Sequence, residues 1–364
     1  MVGPRVTVLM PVFNAAPFIR EAIDSILNQS FKPFEFLIID DGSTDETAAI
    51  ISSYRDPRIR LVRNEKNLGI TATLNKGIAL SACAFIARMD ADDISHPQRL
   101  QKQFGYMKRN PGCALLSTWA RVITEDKKFI RLERYRSNFY YYNLTFECWM
   151  YHPTIMFLKS AVEEVGMYTI PYSEDYDLFW RVSKRFRIAN LPEALVDYRI
   201  SSTSLNSVLS KREYEVANKR NVLRNIRYYM GDDFQISHTA LECLRHNFKP
   251  IVAHYDISSV LETLATLDAV TERIQQKENV NRDVRSIRRA RYFKRKFILT
   301  ELSKALPLIQ SIELLVRTQA WGTLFTLIRH FMKWYLKQKV EIFRSYSSGG
   351  RFKIFSSEPA KNSR

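Results

Sequence analysis

Short apolar runs alternate with segments of mixed polarity along the N-terminal quarter of the chain. Four runs have the length and apolar content of buried strands, at residues 5–13, 36–40, 58–62 and 83–87. Segments with helical spacing separate them, at residues 17–28, from about 46, and at 67–77. Strands that alternate with helices in this way predict an α/β fold with a mostly parallel sheet and flanking helices.

The pattern changes after about residue 204, where helical periodicity continues without strands. The predicted helices cover residues 213–230, 237–248, 258–277, 282–304 and, with breaks, 308–343. The chain of 364 residues is also longer than one compact core usually is. We therefore expect an α/β domain at 1–204, a mainly helical region at 205–345, and a disordered tail at 346–364.

The net charge of +17 belongs mostly to the helical region. Residues 1–204 carry 26 Lys and Arg against 23 Asp and Glu, whereas residues 205–364 carry 29 against 15. Two basic stretches with interspersed apolar residues, 282–296 and 321–343, are too charged to span a bilayer comfortably. They predict either peripheral contact with an anionic inner membrane or a helical bundle packed on the first domain. A nucleic-acid binder would explain this charge but not the acidic motifs, and no recognised binding motif is present.

The cysteines and the N-terminus predict a cytoplasmic protein. The four cysteines are scattered and form no CxxC motif: Cys83, Cys113, Cys148 and Cys243. Cysteines without a pairing pattern favour reduced thiols over disulfide bonds. The first apolar run is interrupted by Pro11, Asn14 and Pro17, so it does not resemble a secretion signal.

Carboxylates follow the fourth predicted strand, where Asp90 and Asp92 are two residues apart. In extended or turning backbone, two carboxylates at this spacing can share a hard divalent cation that also binds phosphate oxygens. An isolated Asp-x-Asp is more often a solvated turn, and the other strand ends decide between these interpretations.

Specific polar residues also follow the first and second strands. Pro11-Val12-Phe13-Asn14 ends the first strand, and Asp40-Asp41-Gly42-Ser43 ends the second. The carboxyl ends of parallel strands lie along one edge of the sheet, so these residues and Asp92 would line a single crevice. Taken alone, Asp40 to Ser43 would fit a helix cap equally well.

In this order, the motifs resemble family 2 glycosyltransferases of the GT-A fold, in the bacterial branch that builds surface polysaccharide or lipooligosaccharide. The resemblance covers about residues 5–204 and is carried by the segments 8–14, 38–45, 67–69 with 75–77, 87–95 and 173–177. It implies an inverting transfer from a nucleotide-diphosphate sugar, most often a UDP-sugar, to a glycan or lipid-linked acceptor. It also implies Mn²⁺ or Mg²⁺ as cofactor.

The resemblance assigns roles to individual residues. Pro11 and Phe13 would flank the uridine, Asp41 would accept from the uracil, and Asp90 would approach the ribose. Asp92, with Asp90, would bind the metal. The remaining donor-side residues of the matching motifs are Val12, Asn14, Asn67, Gly69, Asn75, Arg88 and Ala91.

A transfer in a single displacement also needs a base on the face opposite the leaving group. Glu174 and Asp175 open a predicted helix at 176–186, whose N-terminus would keep a carboxylate ionised. We expect Asp175 to be the base and Glu174 to position it. His152 and Tyr176 are candidates for the acceptor side, although a lone His before a buried strand is more often a packed residue. The aromatic stretch 135–142 could contact an acceptor sugar or simply pack.

Two departures from the family pattern limit the assignment. Leu74 stands where many relatives have Arg, so one phosphate contact is absent. Tyr198-Arg199-Ile200-Ser201 stands where relatives often have Tyr-Arg-x-His, which leaves Asp92, phosphate oxygens and water as a metal shell that Mg²⁺ tolerates. Two alternatives remain open: a protein that binds a nucleotide sugar without transferring it, and a nucleotidyltransferase, although the first strand lacks the Gly-rich basic loop usual in the latter.

Overall fold

The α/β fold predicted from the sequence is confirmed by a computed structural model, which describes residues 3–200 and 211–330 together with 332, 333 and 336. The chain divides into two compact units, Met1–Arg295 and Lys296–Arg364. The predicted domain boundary after residue 204, Ser201 and the predicted tail at 346–364 lie outside the described residues, and the predictions made for them stay predictions.

The N-terminal part of the first unit, up to Arg88, contains a parallel sheet. Its strands are β1 (Val6–Val12), β2 (Phe34–Asp40), β3 (Ile59–Arg63) and β4 (Phe85–Arg88), in the order β3-β2-β1-β4. The connecting helices are α1 (Ile19–Leu27), α2 (Thr47–Ser52) and α3 (Ile70–Leu80). β1 is buried along its whole length, as expected for a central parallel strand covered on both faces. Each strand lies within two residues of its predicted position.

Beyond β4 the sheet becomes mixed. The next elements are β5 (Ile94–Ser95), α4 (Arg99–Arg109), β6 (Cys113–Ile123), β7 (Phe129–Glu133), α5 (Tyr140–Asn143), β8 (Met156–Leu158), α6 (Lys159–Glu164), α7 (Glu174–Arg185) and β9 (Arg187–Arg199). Strand β8 lies antiparallel between β4 and β6, and β9 pairs parallel to β6 and antiparallel to β5. The short β8 therefore brings the turn at His152–Thr154 next to the carboxyl end of β4.

A buried arginine fixes the end of β4. The Arg99 guanidinium on α4 donates to the carbonyl oxygen of Arg88 at 2.6 Å and to that of Ile155 at 3.2 Å. Burial lowers the pKa of Arg99 to about 9. Because the last carbonyl group of β4, that of Arg88, has a side-chain partner, the chain leaves the strand there in a defined direction.

The helices that follow β9 pack on the α/β part of the first unit. They are α8 (Lys211–Met230), α9 (His238–Leu244), α10 (Lys249–Ala253), α11 (Ile257–Gln276) and the first half of α12 (Val284–Ala305). Asn225 donates to the Leu144 carbonyl at 2.9 Å, and the hydroxyls of Tyr142 and Thr271 lie 2.8 Å apart. Up to residue 295, the helical region therefore has the packed arrangement that was one of its two predicted alternatives.

The second unit contains the end of α12, helix α13 (Leu308–Arg317) and a helical segment at 321–330. Among the described residues, every helix is too short or too polar to cross a membrane.

The close contact between α3 and β1 can be tested at Gly77. A Cβ atom there would lie 2.2 Å from Cδ1 and 2.9 Å from Cδ2 of Leu9, which is fully buried. We expect Gly77→Ala to lower the free energy of unfolding by about 1–3 kcal/mol, as overpacked core substitutions do. Urea unfolding followed by circular dichroism measures this change.

The matched control is Gly105→Ala in α4, where the new Cβ would approach only the Arg109 guanidinium, at 3.4 Å. That variant should be unchanged or more stable by about 0.5–1 kcal/mol, because alanine favours a helix. Equal unfolding midpoints for Gly77→Ala and the parent would show that α3 and β1 are not in close contact.

Candidate active site

Three carboxylates gather directly after β4. One carboxylate oxygen from each of Asp90, Asp92 and Asp93 lies within 4.8 Å of the other two. Burial and the charge of Asp90 raise the pKa of Asp92 to about 6. Burial, followed by the charges of Asp92 and Asp90, raises the pKa of Asp93 well above its ordinary value. The three groups therefore form a crowded anionic cluster.

The cluster fits a hard divalent cation. Asp93 Oδ1 accepts from the backbone N–H of Arg199 at 2.8 Å, whereas its Oδ2 is buried and has no hydrogen-bond partner within the described ranges. Crowded carboxylates with a free, buried oxygen match the all-oxygen shells that Mg²⁺ and Mn²⁺ prefer. Sequence reasoning chose Asp90 and Asp92 and missed Asp93, although Asp93 stands beside them in the sequence.

Arg199, at the end of β9, holds this acidic loop in position. It is fully buried and donates to the carbonyl oxygen of Asp92 at 2.7 Å and to that of Glu125 at 2.5 Å. It also pairs with Glu21 at 2.6 Å, and its guanidinium lies over the Phe18 ring. The tyrosine-arginine segment of the sequence motif therefore contributes a structural clamp that sequence reasoning did not identify.

The charge of Arg88 acts both on this cluster and on an acidic pair from a distant segment. Arg88 is buried and forms an ion pair with Asp90. Burial opposes its charge, but Asp90 raises the pKa of Arg88 above its ordinary value. Its positive charge in turn acts on Asp92 and on Glu174 and Asp175, lowering their pKa values against the larger effect of burial. The charge of one guanidinium therefore acts on the acids that sequence reasoning selected on two distant segments.

The second acidic pair begins helix α7. Glu174 is buried, and burial followed by the charge of Asp175 raises the pKa of Glu174 to about 7. Asp175 is partly exposed, and burial of its carboxyl raises its pKa as well. Tyr172 and Ser173 just before them both have φ of 54°, so the chain turns sharply into the helix. Asn221 of α8 donates to the Ser173 carbonyl at 3.3 Å and stabilises this turn.

The two candidates for the acceptor side are both buried. His152 Nε2 lies 2.7 Å from the Tyr168 hydroxyl, and its Nδ1 lies 3.8 Å from Glu174 Oε1. Burial and the charge of Arg88 lower the pKa of His152 well below its ordinary value, so the ring is neutral. Tyr176 is 1% exposed and donates to the Leu144 carbonyl at 2.9 Å. The Tyr176 hydroxyl is therefore turned into the core and does not reach the site.

Asp41 organises the loop after β3. Its Oδ1 accepts from Asn64 Nδ2 at 2.6 Å and from the Leu68 N–H at 2.9 Å, and its Oδ2 accepts from the Gly69 N–H at 2.9 Å. Asn67 supports the same turn, because its Oδ1 also accepts from Gly69. A carboxylate has about four acceptor positions, so roughly one remains for a ligand. Asn64 was missed because a lone Asn after a strand carries no distinctive sequence signal.

The end of β1 presents an aromatic ring beside Asp41. Phe13 is 46% exposed, whereas Pro11, Val12 and Ala91 are buried. Asn14 holds the chain in place, since its N–H donates to Ser43 Oγ at 3.0 Å and its Oδ1 accepts from the Thr44 N–H at 2.9 Å. β1 lies between β2 and β4, so Phe13 stands on the edge that joins the Asp41 loop to the acidic cluster.

The side chain of Asn75, on α3, bonds the backbone of the segment that leads into α7. Its Nδ2 donates to the Tyr168 carbonyl at 2.8 Å, and its Oδ1 accepts from the Tyr168 N–H at 3.0 Å. Thr71 adds a bond to the Ile170 carbonyl at 2.9 Å. The Asn75 amide is therefore engaged with the segment that leads into α7, rather than with the donor side that sequence reasoning assigned to it.

Two pairs of aromatic rings, joined through Glu133, form what we call the aromatic wall: Tyr135, Trp149, Tyr151 and Tyr198. Its ring centroids are 5.0 Å apart for Tyr135 and Trp149 and 4.7 Å apart for Tyr151 and Tyr198. Glu133 accepts from the hydroxyls of Tyr135 at 2.6 Å and Tyr151 at 3.2 Å. All four rings are partly exposed.

Tyr198 is the ring of the wall beside the acids, because the N–H of the next residue, Arg199, donates to Asp93 Oδ1 at 2.8 Å. Burial, followed by the charges of Asp93, Asp90 and Asp92, raises the pKa of Tyr198. The rest of the predicted aromatic stretch behaves differently. Residues 139–142 are buried and pack in the core, so only Tyr135 of that stretch joins the wall.

Comparisons with known proteins identify the family of this chain. The family model for glycosyl transferase family 2 matches residues 7–166. An uncharacterised glycosyltransferase of Haemophilus influenzae is 32% identical over 243 residues, which cover 63% of this chain and 75% of that protein. The O-antigen biosynthesis glycosyltransferase WbnJ of Escherichia coli is 35% identical over 207 residues, which cover 55% of this chain and 81% of WbnJ.

A crystal structure of S. aureus TarS residues 1–349 in complex with UDP-GlcNAc has a similar fold. The TM-score is 0.53 at 14% sequence identity, and the match covers 83% of this chain and 92% of the TarS chain. Because relatives above 30% identity are covered over most of their length and the fold is that of solved GT-A enzymes, the chain belongs to glycosyltransferase family 2 and is a glycosyltransferase with the GT-A fold.

Proposed function

We propose that this glycosyltransferase moves a sugar from a UDP-sugar to a hydroxyl of a glycan or lipid-linked acceptor, with inversion, in the synthesis of a cell-surface polysaccharide. The observation that carries the proposal is that Arg88, which forms an ion pair with Asp90 of the acidic cluster after β4, also acts electrostatically on the acidic pair at the start of α7. A single displacement requires charge stabilisation on one face of the sugar and a base on the other. The similarity to WbnJ supports the polysaccharide class.

The donor nucleotide would bind between the ends of β1 and β2. Phe13 offers a large apolar ring that is 46% exposed, which suits packing against a nucleobase. Asp41 keeps about one acceptor position, which suits a base N–H. The fold shared with TarS, solved in complex with UDP-GlcNAc, supports a uridine nucleotide.

The diphosphate would lie over the acidic cluster. Asp90 and Asp92, together with Asp93, would hold Mn²⁺ or Mg²⁺. Such an ion neutralises charge that develops on the leaving diphosphate. Arg88 contributes a fixed positive charge beside it, and Arg199 keeps the loop from moving as charge builds up. Because the protein groups are held before the donor arrives, little reorganisation is needed during the reaction.

Asp175 would accept the proton from the acceptor hydroxyl as the new glycosidic bond forms. It is the partly exposed member of its pair, and its raised pKa makes it a better base than an ordinary carboxylate at neutral pH. Glu174, which precedes it and lies 3.8 Å from the neutral His152 ring, would help to orient it. Attack from this side, opposite the diphosphate, inverts the anomeric carbon.

The aromatic wall would bind the acceptor sugar. Aromatic faces pack on the C–H faces of sugar rings, and Glu133 fixes two of the rings through their hydroxyls. Rings that are both partly exposed and held in one orientation are suited to binding a rigid ligand.

The metal assignment is tested by Asp92→Asn. The substitution keeps the volume of the side chain and removes its charge, so UDP affinity in the presence of Mn²⁺ should fall at least about tenfold, the minimum loss seen when even a supporting residue of a metal site is removed. UDP affinity without metal should stay unchanged. Isothermal titration measures both.

Asp126→Asn is the matched control, because Asp126 is 57% exposed in the turn between β6 and β7. It should bind UDP and Mn²⁺ like the parent. Parent-like Mn²⁺ dependence in Asp92→Asn would contradict the metal assignment.

The base assignment is tested by comparing Asp175→Asn with Glu174→Gln. Removal of a general base lowers kcat by about 10²–10⁴-fold, so Asp175→Asn should lose transfer at this scale and keep its UDP affinity. Glu174→Gln should have a smaller effect, because it changes only the orientation of the base. UDP release with a bacterial glycolipid extract as acceptor source measures transfer. If Glu174→Gln were the inactive variant and Asp175→Asn the active one, the two roles would be reversed.

The acceptor surface is tested by Trp149→Ala. We expect a rise in the acceptor KM of roughly two- to tenfold, the range of single aromatic contacts, with unchanged UDP affinity. Phe129→Ala on β7 removes a ring that is 57% exposed outside the wall and should leave the acceptor KM unchanged. Equal acceptor KM values for Trp149→Ala and the parent would remove the wall from the acceptor site.

A further inference from the structure

Helix α13 of the second unit has two apolar faces. Ser311, Leu314 and Leu315 form one face and are buried. On the other side, four large apolar residues are exposed: Leu308 (40%), Ile309 (81%), Ile312 (39%) and Val316 (42%). A helix of a water-soluble domain normally has a single apolar stripe, so the exposed face of α13 has the composition of a buried one.

The segment after α13 carries a second set of exposed apolar residues. Trp321, Phe325, Ile328, Met332 and Leu336 follow each other at intervals of three or four residues, and residues 321–330, 332, 333 and 336 are helical. At 100° per residue, this spacing puts all five side chains on one narrow stripe. Their exposed fractions are 59%, 69%, 46%, 50% and 55%, respectively. We call these five residues the exposed stripe.

The charges beside the exposed stripe are all positive. Arg329 and Lys333 are exposed next to it along the helix. The sequence from Gln319 to Val340 contains four Lys and Arg and no Asp or Glu. An apolar stripe with basic flanks and without acidic residues is complementary to an anionic, amphipathic surface.

We propose that the exposed stripe binds the surface of an anionic lipid bilayer, with Trp321, Phe325 and Ile328 inserted among the headgroups and Arg329 and Lys333 paired with lipid phosphates. The helix lies in the interface and does not cross it, because its polar side carries too much charge for the bilayer core. This activity goes beyond sugar transfer and does not require it. It would hold the enzyme at the surface where a lipid-linked acceptor resides.

The alternative occupant is a second copy of the chain. Pairing two stripes would bring Arg329 and Lys333 of one copy near the same residues of the other, with no acidic residue between Gln319 and Val340 to offset them. Like charges at an interface core disfavour association. The charge pattern therefore favours lipid over self-association.

The test measures binding of the full chain to vesicles by sedimentation. The parent protein should bind vesicles of equal parts phosphatidylglycerol and phosphatidylcholine, and should bind pure phosphatidylcholine vesicles at least tenfold more weakly. The double variant Phe325→Asp/Ile328→Asp should lose at least tenfold in affinity for the anionic vesicles. Arg329→Gln/Lys333→Gln should lose affinity and much of its sensitivity to salt.

The matched control is Phe129→Asp/Ile130→Asp, which puts the same charges at exposed apolar positions of β7 in the first unit (57% and 44% exposed). It should bind vesicles like the parent.

The proposal is overturned by any of three results: no vesicle binding by the parent, parent-like binding by Phe325→Asp/Ile328→Asp, or light scattering that shows a dimer which Phe325→Asp/Ile328→Asp dissociates. All substituted positions are exposed, so a loss of folding, checked by circular dichroism, is not expected. UDP binding, measured in parallel, reports separately on the proposed transferase site.

Discussion

The buried guanidinium of Arg88 is the interaction on which the candidate site depends. A buried charge without a partner costs several kcal/mol, so Arg88 requires carboxylates around it. The carboxylates after β4 and at the start of α7 are buried or partly buried. The charge of Arg88 makes the ionised forms of Asp92, Asp93 and Glu174 less unfavourable. One guanidinium thereby acts on acids from two distant segments, and the cluster after β4 keeps an excess of negative charge that suits a divalent cation.

Side chains that bind backbone atoms keep this cluster in place. Arg199 holds the loop at Asp92, Asn75 holds the segment at Tyr168, and Asn221 holds the turn at Ser173. Each clamp comes from a different element, so the irregular loops of the site are fixed from several directions. Their backbone groups are satisfied without regular secondary structure, which allows a loop to be both irregular and rigid.

The two compact units treat charge in different ways. The first unit buries charged side chains and gives them partners: Arg99 donates to the Arg88 carbonyl, and the Arg88 side chain forms an ion pair with Asp90. The second unit leaves Arg329 and Lys333 exposed beside apolar residues that are also exposed. In the first unit, the buried and paired charges give the candidate site a fixed electrostatic environment. In the second unit, the exposed apolar and basic groups form a surface that is available for binding.

The sequence by itself determined the parallel half of the sheet and the acids at its edge. Buried parallel strands are continuous apolar runs, and their carboxyl ends share one edge, so β1 to β4 and the positions of Asp41 and Asp92 could be predicted.

The tertiary structure decided the rest. The pairing of β6 with β9 joins residues far apart in sequence, and this pairing carries Arg199 to Asp93 and sets Tyr198 near the acids. Spacing along a chain also does not give the direction of a side chain, which is why Asn75 and Tyr176 were expected at the ligand but bind backbone atoms instead. Only packing fixes such directions, because it selects among rotamers that are equally accessible to the isolated segment.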